Sequence, residues 1–248
     1  MLSKARIKFI KSLQLKKYRK QEQCFIVEGE KSVMEVLDSS YAVLIVVATP
    51  GFVERNRKAI DRFKGELLVV SDRELQGLGV YASNDAAVAV VKMGATNAPA
   101  LVPGNFYLVL DDVRDPGNLG TILRIADWYG MTEVIASSET TDVYNSKVIA
   151  ASMGSFTRVN LYYTDLVEFL RNVTLPVIGT FLSGDSIHNA DGVTGGLVVI
   201  GNEATGISKE VEALVTRRFT IPRYGKAESL NAAVAAAIVC DNLMRQKK

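Results

Sequence analysis

The chain has 248 residues, 48% of them hydrophobic and 23% charged, with a net charge of +2. That length fits one large domain or two ordinary ones, the balance is that of a globular fold, and no run of about 18 uncharged apolar residues offers a membrane span. Two cysteines (Cys24, Cys240) and one histidine (His188) are too few for a disulfide framework or a metal site.

The first 20 residues carry eight basic side chains, Lys4, Arg6, Lys8, Lys11, Lys16, Lys17, Arg19 and Lys20, and no acid. Such a run is either a solvated helix face or a phosphate-contacting surface that gains affinity by releasing counterions from nucleic acid. It lacks the apolar core and cleavage site of a secretory leader, so a reduced, cytoplasmic protein is expected. Strand-like runs follow in CFIVEG, AVLIVVAT, ELLVVS and AAVAVVKM, with helical patterns near 30–38, 52–63 and 72–78. The alternation predicts a small α/β domain over residues 1–97.

The stretch GATNAPALVPGN (94–105) has two prolines, two glycines and no charge, so 98–105 reads as a linker. The charge balance changes sign there. Residues 1–97 hold 16 basic and 11 acidic side chains, whereas 98–248 hold 13 and 16. Beyond the linker, over 106–248, six strands are predicted in FYLVLDDV, TEVIAS, RVNLYY, PVIGTFL, GLVVIG and RFTIP. Helices fit near 119–129, 145–153, 165–173, 208–215 and 229–246. Runs such as GLVVIG, apolar on both faces, are typical of parallel strands covered by helices.

Ligands of open parallel sheets bind where the strands end and loops turn into helices. Three such ends are polar and glycine-rich. In DDVRDPGNLGTILRIADWYG (111–130), Pro116 and Gly117 suggest a turn and Asn118 a helix cap. Arg124, four residues after Gly120, is expected to lie over a bare spot on the helix. In VVIGNEATGIS (198–208), Gly201 and Gly206 permit close backbone approach around Glu203. The spacing matches neither a dinucleotide fingerprint nor a P-loop. In IPRYGKAESLNAAVAAAIVC (221–240), Ser229 and Asn231 flank Leu230 at the mouth of a helix apolar on nearly every face.

Together, DPGNLGTILRIADWYG, VVIGNEATGIS and IPRYGKAESLNAAVAAA resemble the three motifs of the SpoU (TrmH-like) RNA ribose 2′-O-methyltransferases, in that family's order and at roughly its spacing. The resemblance implies a C-terminal SPOUT-type parallel sheet with a trefoil knot. Before it, CFIVEGEKSVMEVL is similar to the ribosomal-protein-like α/β RNA-binding domain that many members carry. It implies S-adenosylmethionine as cofactor, contacted around Thr180, Gly201, Ile221 and Leu230, and Arg124, Asn118, Glu203, Ser229 and Asn231 as the catalytic set. RNA contacts would come from Lys4, Arg6, Lys8, Lys16, Lys17 and Arg19. The implied partners are structured RNA, ribosomal RNA ahead of transfer RNA, and a second copy of the chain packed on the C-terminal helix, with no metal and no membrane. Two departures from the family stand out: Ala150 occupies a position where many members have Arg, and the third motif carries Arg223 and Lys226.

The family resemblance gives Arg124 the role of base for the 2′-hydroxyl, assisted by a substrate phosphate. A guanidinium hardly deprotonates in a protein, so a phosphate clamp that aligns the hydroxyl is the sounder role. Three rivals remain at this point: a catalytically silent RNA-binding homologue, a doubly wound nucleotide enzyme without a knot, and a small-molecule methyltransferase, which would leave the basic first domain without a purpose. The absence of an early glycine-rich strand–helix turn disfavours the second.

Overall fold

A computed structural model describes residues 2–81 and 84–245. The basic N-terminus forms α1 (Lys4–Ser12) and α2 (Lys16–Glu22). The chain continues through β1 (Cys24–Glu28), α3 (Glu30–Leu37), β2 (Val43–Ala48), α4 (Pro50–Arg55), α5 (Arg57–Arg62), β3 (Glu66–Val69), α6 (Asp72–Gln76) and β4 (Ala87–Lys92). Residues 52–63, expected as one helix, are two. Asn56 ends α4, its side-chain amide donating to the Phe52 carbonyl, and α5 starts from the same residue. The sheet is mixed, in the order β1-β4-β2-β3. The last strand inserts antiparallel between β1 and β2, and β3 runs parallel to β2. Ile10, Leu13 and Leu75 pack on Ile26, Val47 and Val90 of its strands.

Then come β5 (Phe106–Leu110), α7 (Pro116–Trp128), β6 (Glu133–Ser137), α8 (Ser146–Ser152), β7 (Asn160–Thr164), α9 (Leu166–Arg171) and β8 (Val177–Phe181). The chain ends with β9 (Asp185–Ser186), β10 (Gly196–Ile200), α10 (Lys209–Glu212), β11 (Arg217–Thr220) and α11 (Ala232–Arg245). Residue 246, expected to close the last helix, lies outside the described residues. The seven strands form one parallel sheet in the order β7-β6-β5-β10-β8-β11-β9. Six strands were expected. The seventh, β9, is two polar residues long and shows neither alternation nor an apolar run. Every residue of β5 and of β10 is buried, as their unbroken hydrophobicity requires.

These elements make two compact units, Met1–Ala95 with Asp142–Arg158, and Thr96–Thr141 with Val159–Lys248. The first unit therefore includes α8, which comes from the middle of the C-terminal stretch. Phe25 packs on Tyr144 at 4.5 Å and on Phe156 at 6.1 Å between ring centres. Arg158 pairs with Glu35 at 2.5 Å. Both cysteines are buried and unpaired, and burial pushes the Cys240 thiol up to about 12, so it is a packing residue and not a nucleophile.

Arg19 corrects one expectation from the sequence. It is 3% exposed and is not part of the basic surface. Its guanidinium donates to the Leu13 and Gln14 carbonyls at 3.1 and 2.7 Å, satisfying acceptors just past the end of α1. Its other nitrogens donate to Asp142 Oδ2 at 3.1 and 2.6 Å. Arg19 thus ties α1 and α2 to the 142–158 segment. Removing it takes the guanidinium from Asp142 Oδ2 and from two carbonyls, and Arg19→Ala should lower unfolding stability by about 3 kcal/mol. Chemical denaturation reads this directly, and an unchanged midpoint would contradict the anchoring role.

Candidate active site

The parallel sheet has one topological switch point. From β5 the chain proceeds to β6 and β7 on one side, while β10, β8 and β11 lie on the other. The loops after β5 and β10 are therefore neighbours at the carboxyl edge, where such sheets bind ligands. Their join is tight. Asp111 N–H bonds the Ile200 carbonyl at 2.9 Å. The buried Asp111 carboxylate accepts from both the amide and the hydroxyl of Ser208, each at 2.7 Å. Asp112 adopts a left-handed conformation (φ 59°), uncommon for a residue with a side chain. Its amide donates to Ser137 Oγ at 2.9 Å, and its carbonyl accepts from Asn202 Nδ2 at 2.8 Å. Asn202 Oδ1 also receives the amides of Ala204 and Thr205, a turn closed by its own side chain. Asp111, Asp112, Asn202 and Ser208 were not singled out from the sequence. The only signal was a pair of acids directly after a buried strand.

Gly201 shows why this loop requires glycine. A Cβ there would lie 2.4 Å from both the Gly206 carbonyl carbon and the Ile207 nitrogen. The loop folds back on itself through paired Asn202 and Gly206, and Gly206 takes φ +71°.

Asn118 is not the cap of α7. Asp115 is, accepting the Asn118 amide at 2.8 Å, with Pro116 at the first helical position. That frees the buried Asn118 side chain for a different task. Its Nδ2 donates to Glu203 Oε1 in a short hydrogen bond, and its Oδ1 accepts from Asn231 Nδ2 at 2.8 Å. Asn231 Oδ1 in turn receives the Ala233 and Val234 amides at 3.0 and 3.3 Å, capping α11. One chain of hydrogen bonds therefore joins the carboxylate of Glu203 to the first turn of α11 through two amides. The amide orientations follow from it, because each oxygen faces donors and each nitrogen an acceptor. Three of the five residues expected to be catalytic meet here, one from each polar strand end.

The other two stand apart from that network. Ser229 is exposed and enters no hydrogen bond among the described residues. Arg124 is exposed while Gly120 is buried, so it does not lie over a bare spot. It belongs to the open stripe Gly117, Thr121, Arg124 and Trp128, at helical spacing, and among the described residues nothing pairs with its guanidinium. Thr180 is the penultimate residue of β8, its hydroxyl donating to the Val199 carbonyl at 3.0 Å. Ile221 is half-buried and Leu230 exposed, at the two ends of a loop that is neither helix nor strand. Lys4, Lys8, Lys16 and Lys17 are exposed, and Arg6 pairs with Glu66 at 2.6 Å. Ala150 lies on α8, in the first unit.

The model of the SpoU rRNA methylase family matches residues 105–241, which contain every element of this site. The chain belongs to the SpoU rRNA methylase family. A model of an MRM3-like substrate-binding domain matches residues 4–89. Among relatives of this SpoU chain, the 23S rRNA (guanosine(2553)-2′-O)-methyltransferase RlmP of Bacillus subtilis (strain 168) is 31% identical over 252 residues, covering 96% of this chain and 95% of that one. The SpoU methyltransferase AviRb of Streptomyces viridochromogenes, solved with AdoMet, superimposes with a TM-score of 0.87 at 26% identity over 98% of both chains. An AdoMet-bound rRNA methyltransferase from Sinorhizobium meliloti gives 0.87 at 28% identity, covering 99% of this chain and 97% of that one. Among the described residues no helix is long and apolar enough to cross a membrane, and no cluster of three His, Cys, Asp or Glu is arranged to hold a metal ion.

The hydrogen-bond chain makes a sharp prediction. Asn118→Asp sets a second carboxylate against Glu203, and two carboxyls sharing a site hold one proton above the usual range. A carboxyl pKa raised on folding means stability lost as pH rises through it. The variant should therefore lose more of its melting temperature, relative to the unmodified protein, at pH 8 than at pH 5. An equal loss at both would show that position 118 does not face Glu203.

Proposed function

We propose that this chain transfers a methyl group from S-adenosylmethionine to a ribose 2′-hydroxyl of ribosomal RNA, in the cytoplasm and as a homodimer. The observation that carries the reading is the Glu203–Asn118–Asn231 chain. It draws the three motif loops together at the switch point, in a chain matched along nearly its whole length by a ribosomal RNA 2′-O-methyltransferase. In this reading 201–208 and 221–231 are the closing loops of the trefoil knot.

The residues present fit the cofactor. Ile221 and Leu230 lie outside helix and sheet, so their main-chain groups are placed to bind a nucleoside and an amino-acid end. Gly201 and Thr180 border the same edge of the sheet. When bound, S-adenosylmethionine supplies an electrophilic methyl on its sulfonium, so the protein has mainly to position and desolvate the hydroxyl against it. Arg124, unpaired among the described residues, clamps the phosphate beside the target ribose. Asn118, Glu203 and Asn231 hold the loops in register, and the exposed Ser229 hydroxyl is available to hydrogen-bond the ribose. The exposed lysines of α1 and α2 add backbone contacts to structured RNA.

Two variants separate these roles, using tritiated S-adenosylmethionine and ribosomal RNA from cells lacking the gene. Arg124→Ala should reduce kcat/KM by at least about 100-fold with cofactor affinity unchanged, as for loss of a charged positioning group. The combined Lys4→Glu, Lys8→Glu, Lys16→Glu and Lys17→Glu variant should instead raise KM and flatten the salt dependence. Loss of cofactor binding in the first, or unchanged KM in the second, would overturn the assignment concerned.

The dimer rests on α11. Its buried residues, Ala232, Ala233, Ala236, Val239, Cys240 and Leu243, form one stripe, with Ala236 fully covered within the subunit. The opposite side of its first turns is still apolar: Val234 is 47% exposed, and Ala235, Ala237 and Ile238 are half-buried. On α7, which packs against it, Trp128 is 83% exposed. A two-fold contact would bury both. Light scattering should give a dimer for the unmodified protein and a folded monomer for Val234→Glu. A monomer before substitution would end the proposal.

A further inference from the structure

Residues 217–226 hold Arg217, Arg218, Arg223 and Lys226 and no acid. In their midst Tyr224 is 94% exposed, and neither face of its ring is stacked on another aromatic group or covered by a cation among the described residues. The charges around it are not equivalent. Arg218 is engaged, pairing with Glu212 at 2.6 Å and lying 3.7 Å over the Phe181 ring. Arg217, at the far end of β11 from this loop, and Lys226, two positions from the tyrosine, are exposed and paired with nothing among the described residues. Arg223 donates to the Ala227 carbonyl at 3.3 Å, bracing its own loop around the tyrosine.

A tyrosine ring held in water forgoes the burial that would otherwise stabilise it, unless a partner covers it. The surrounding positive charge repels a like surface on a second copy of the chain and attracts phosphate. An aromatic ring beside an unpaired cation is the arrangement that binds single-stranded nucleic acid, because every unpaired base offers a π-face. Only seven positions separate Tyr224 from Asn231, a reach of at most about 24 Å even for extended chain.

We propose that Tyr224 stacks on an unpaired base close to the methylated nucleotide, with Lys226 on a flanking phosphate, so that the substrate presents its target in a single-stranded loop and not in a duplex. The placement beside the methylated nucleotide rests on the RNA methyltransferase reading; the stacking itself does not.

The test compares the full-length protein with Tyr224→Ala and Tyr224→Phe. Fluorescence anisotropy measures binding to a short mixed-sequence single-stranded RNA and to an RNA duplex of the same length. Tyr224→Ala should weaken single-strand binding about tenfold, the loss of one stacked base, and leave duplex binding, cofactor affinity and oligomeric mass unchanged. Tyr224→Phe should retain single-strand affinity. With ribosomal RNA as substrate, Tyr224→Ala should raise KM and spare kcat. Unaltered single-strand affinity, an equal loss on duplex, failure of Phe to rescue, or a change in oligomeric mass in place of RNA affinity would each overturn the proposal. Tyr224-dependent RNA binding by an unmodified protein that transfers no methyl would support the stacking and reject the methyltransferase reading.

Discussion

Three loops leave the carboxyl edge of the parallel sheet side by side, and each carries polar groups that neither sheet nor helix can absorb. The arrangement depends on one buried amide. Asn118 offers a donor and an acceptor pointing opposite ways, so it bonds an anion on one loop and an amide on another. No apolar residue of its size can do this, and an acid or a base satisfies only one side. Because Asn231 also caps α11, the orientation of the last helix is tied to the position of Glu203 two strands away. The polar entrance to so apolar a helix is explained by this link. The first-turn amides of α11 need acceptors, and the residue that supplies one also fastens the helix to the rest of the site.

Around that link the backbone is committed to unusual geometry. Asp112 sits at positive φ, and the 201–206 loop folds so closely that a single methyl group would not fit at Gly201. Such positions persist where surrounding bonds over-determine them. Here those bonds are the paired donations to Asp111 and the Asn202 turn. Rigid loops suit a reaction whose barrier is lowered mainly by positioning. The exposed Arg124 and the 223–230 segment contrast with them, remaining open to solvent beside a fixed framework.

The first unit solves a different problem. A strongly basic N-terminus repels itself, and only α1's apolar side, through Ile10 and the following Leu13, has a core to join. Burying Arg19 converts one of those charges into an anchor, bonded to two carbonyls and a carboxylate. The remaining lysines stay in water. One charge run thus serves both structure and surface.

Much of this was legible in the sequence. Unbroken apolar runs such as LVVI can only be covered strands, and glycines, asparagines and a glutamate clustered at three strand ends marked the site because a parallel sheet exposes its functional loops there. Beyond residue 30, pattern also gave most helices to within a few residues, since their periods are local, although 52–63 is two helices and not one. What the sequence could not determine was pairing across distance. That Asp115 and not Asn118 caps α7, that Arg19 meets Asp142, and that 142–158 packs with the N-terminal unit all depend on partners between 3 and 123 positions away. A side chain's role as cap, clamp or anchor is set by which donor lacks an acceptor once the chain is compact. That accounting exists only in the folded structure.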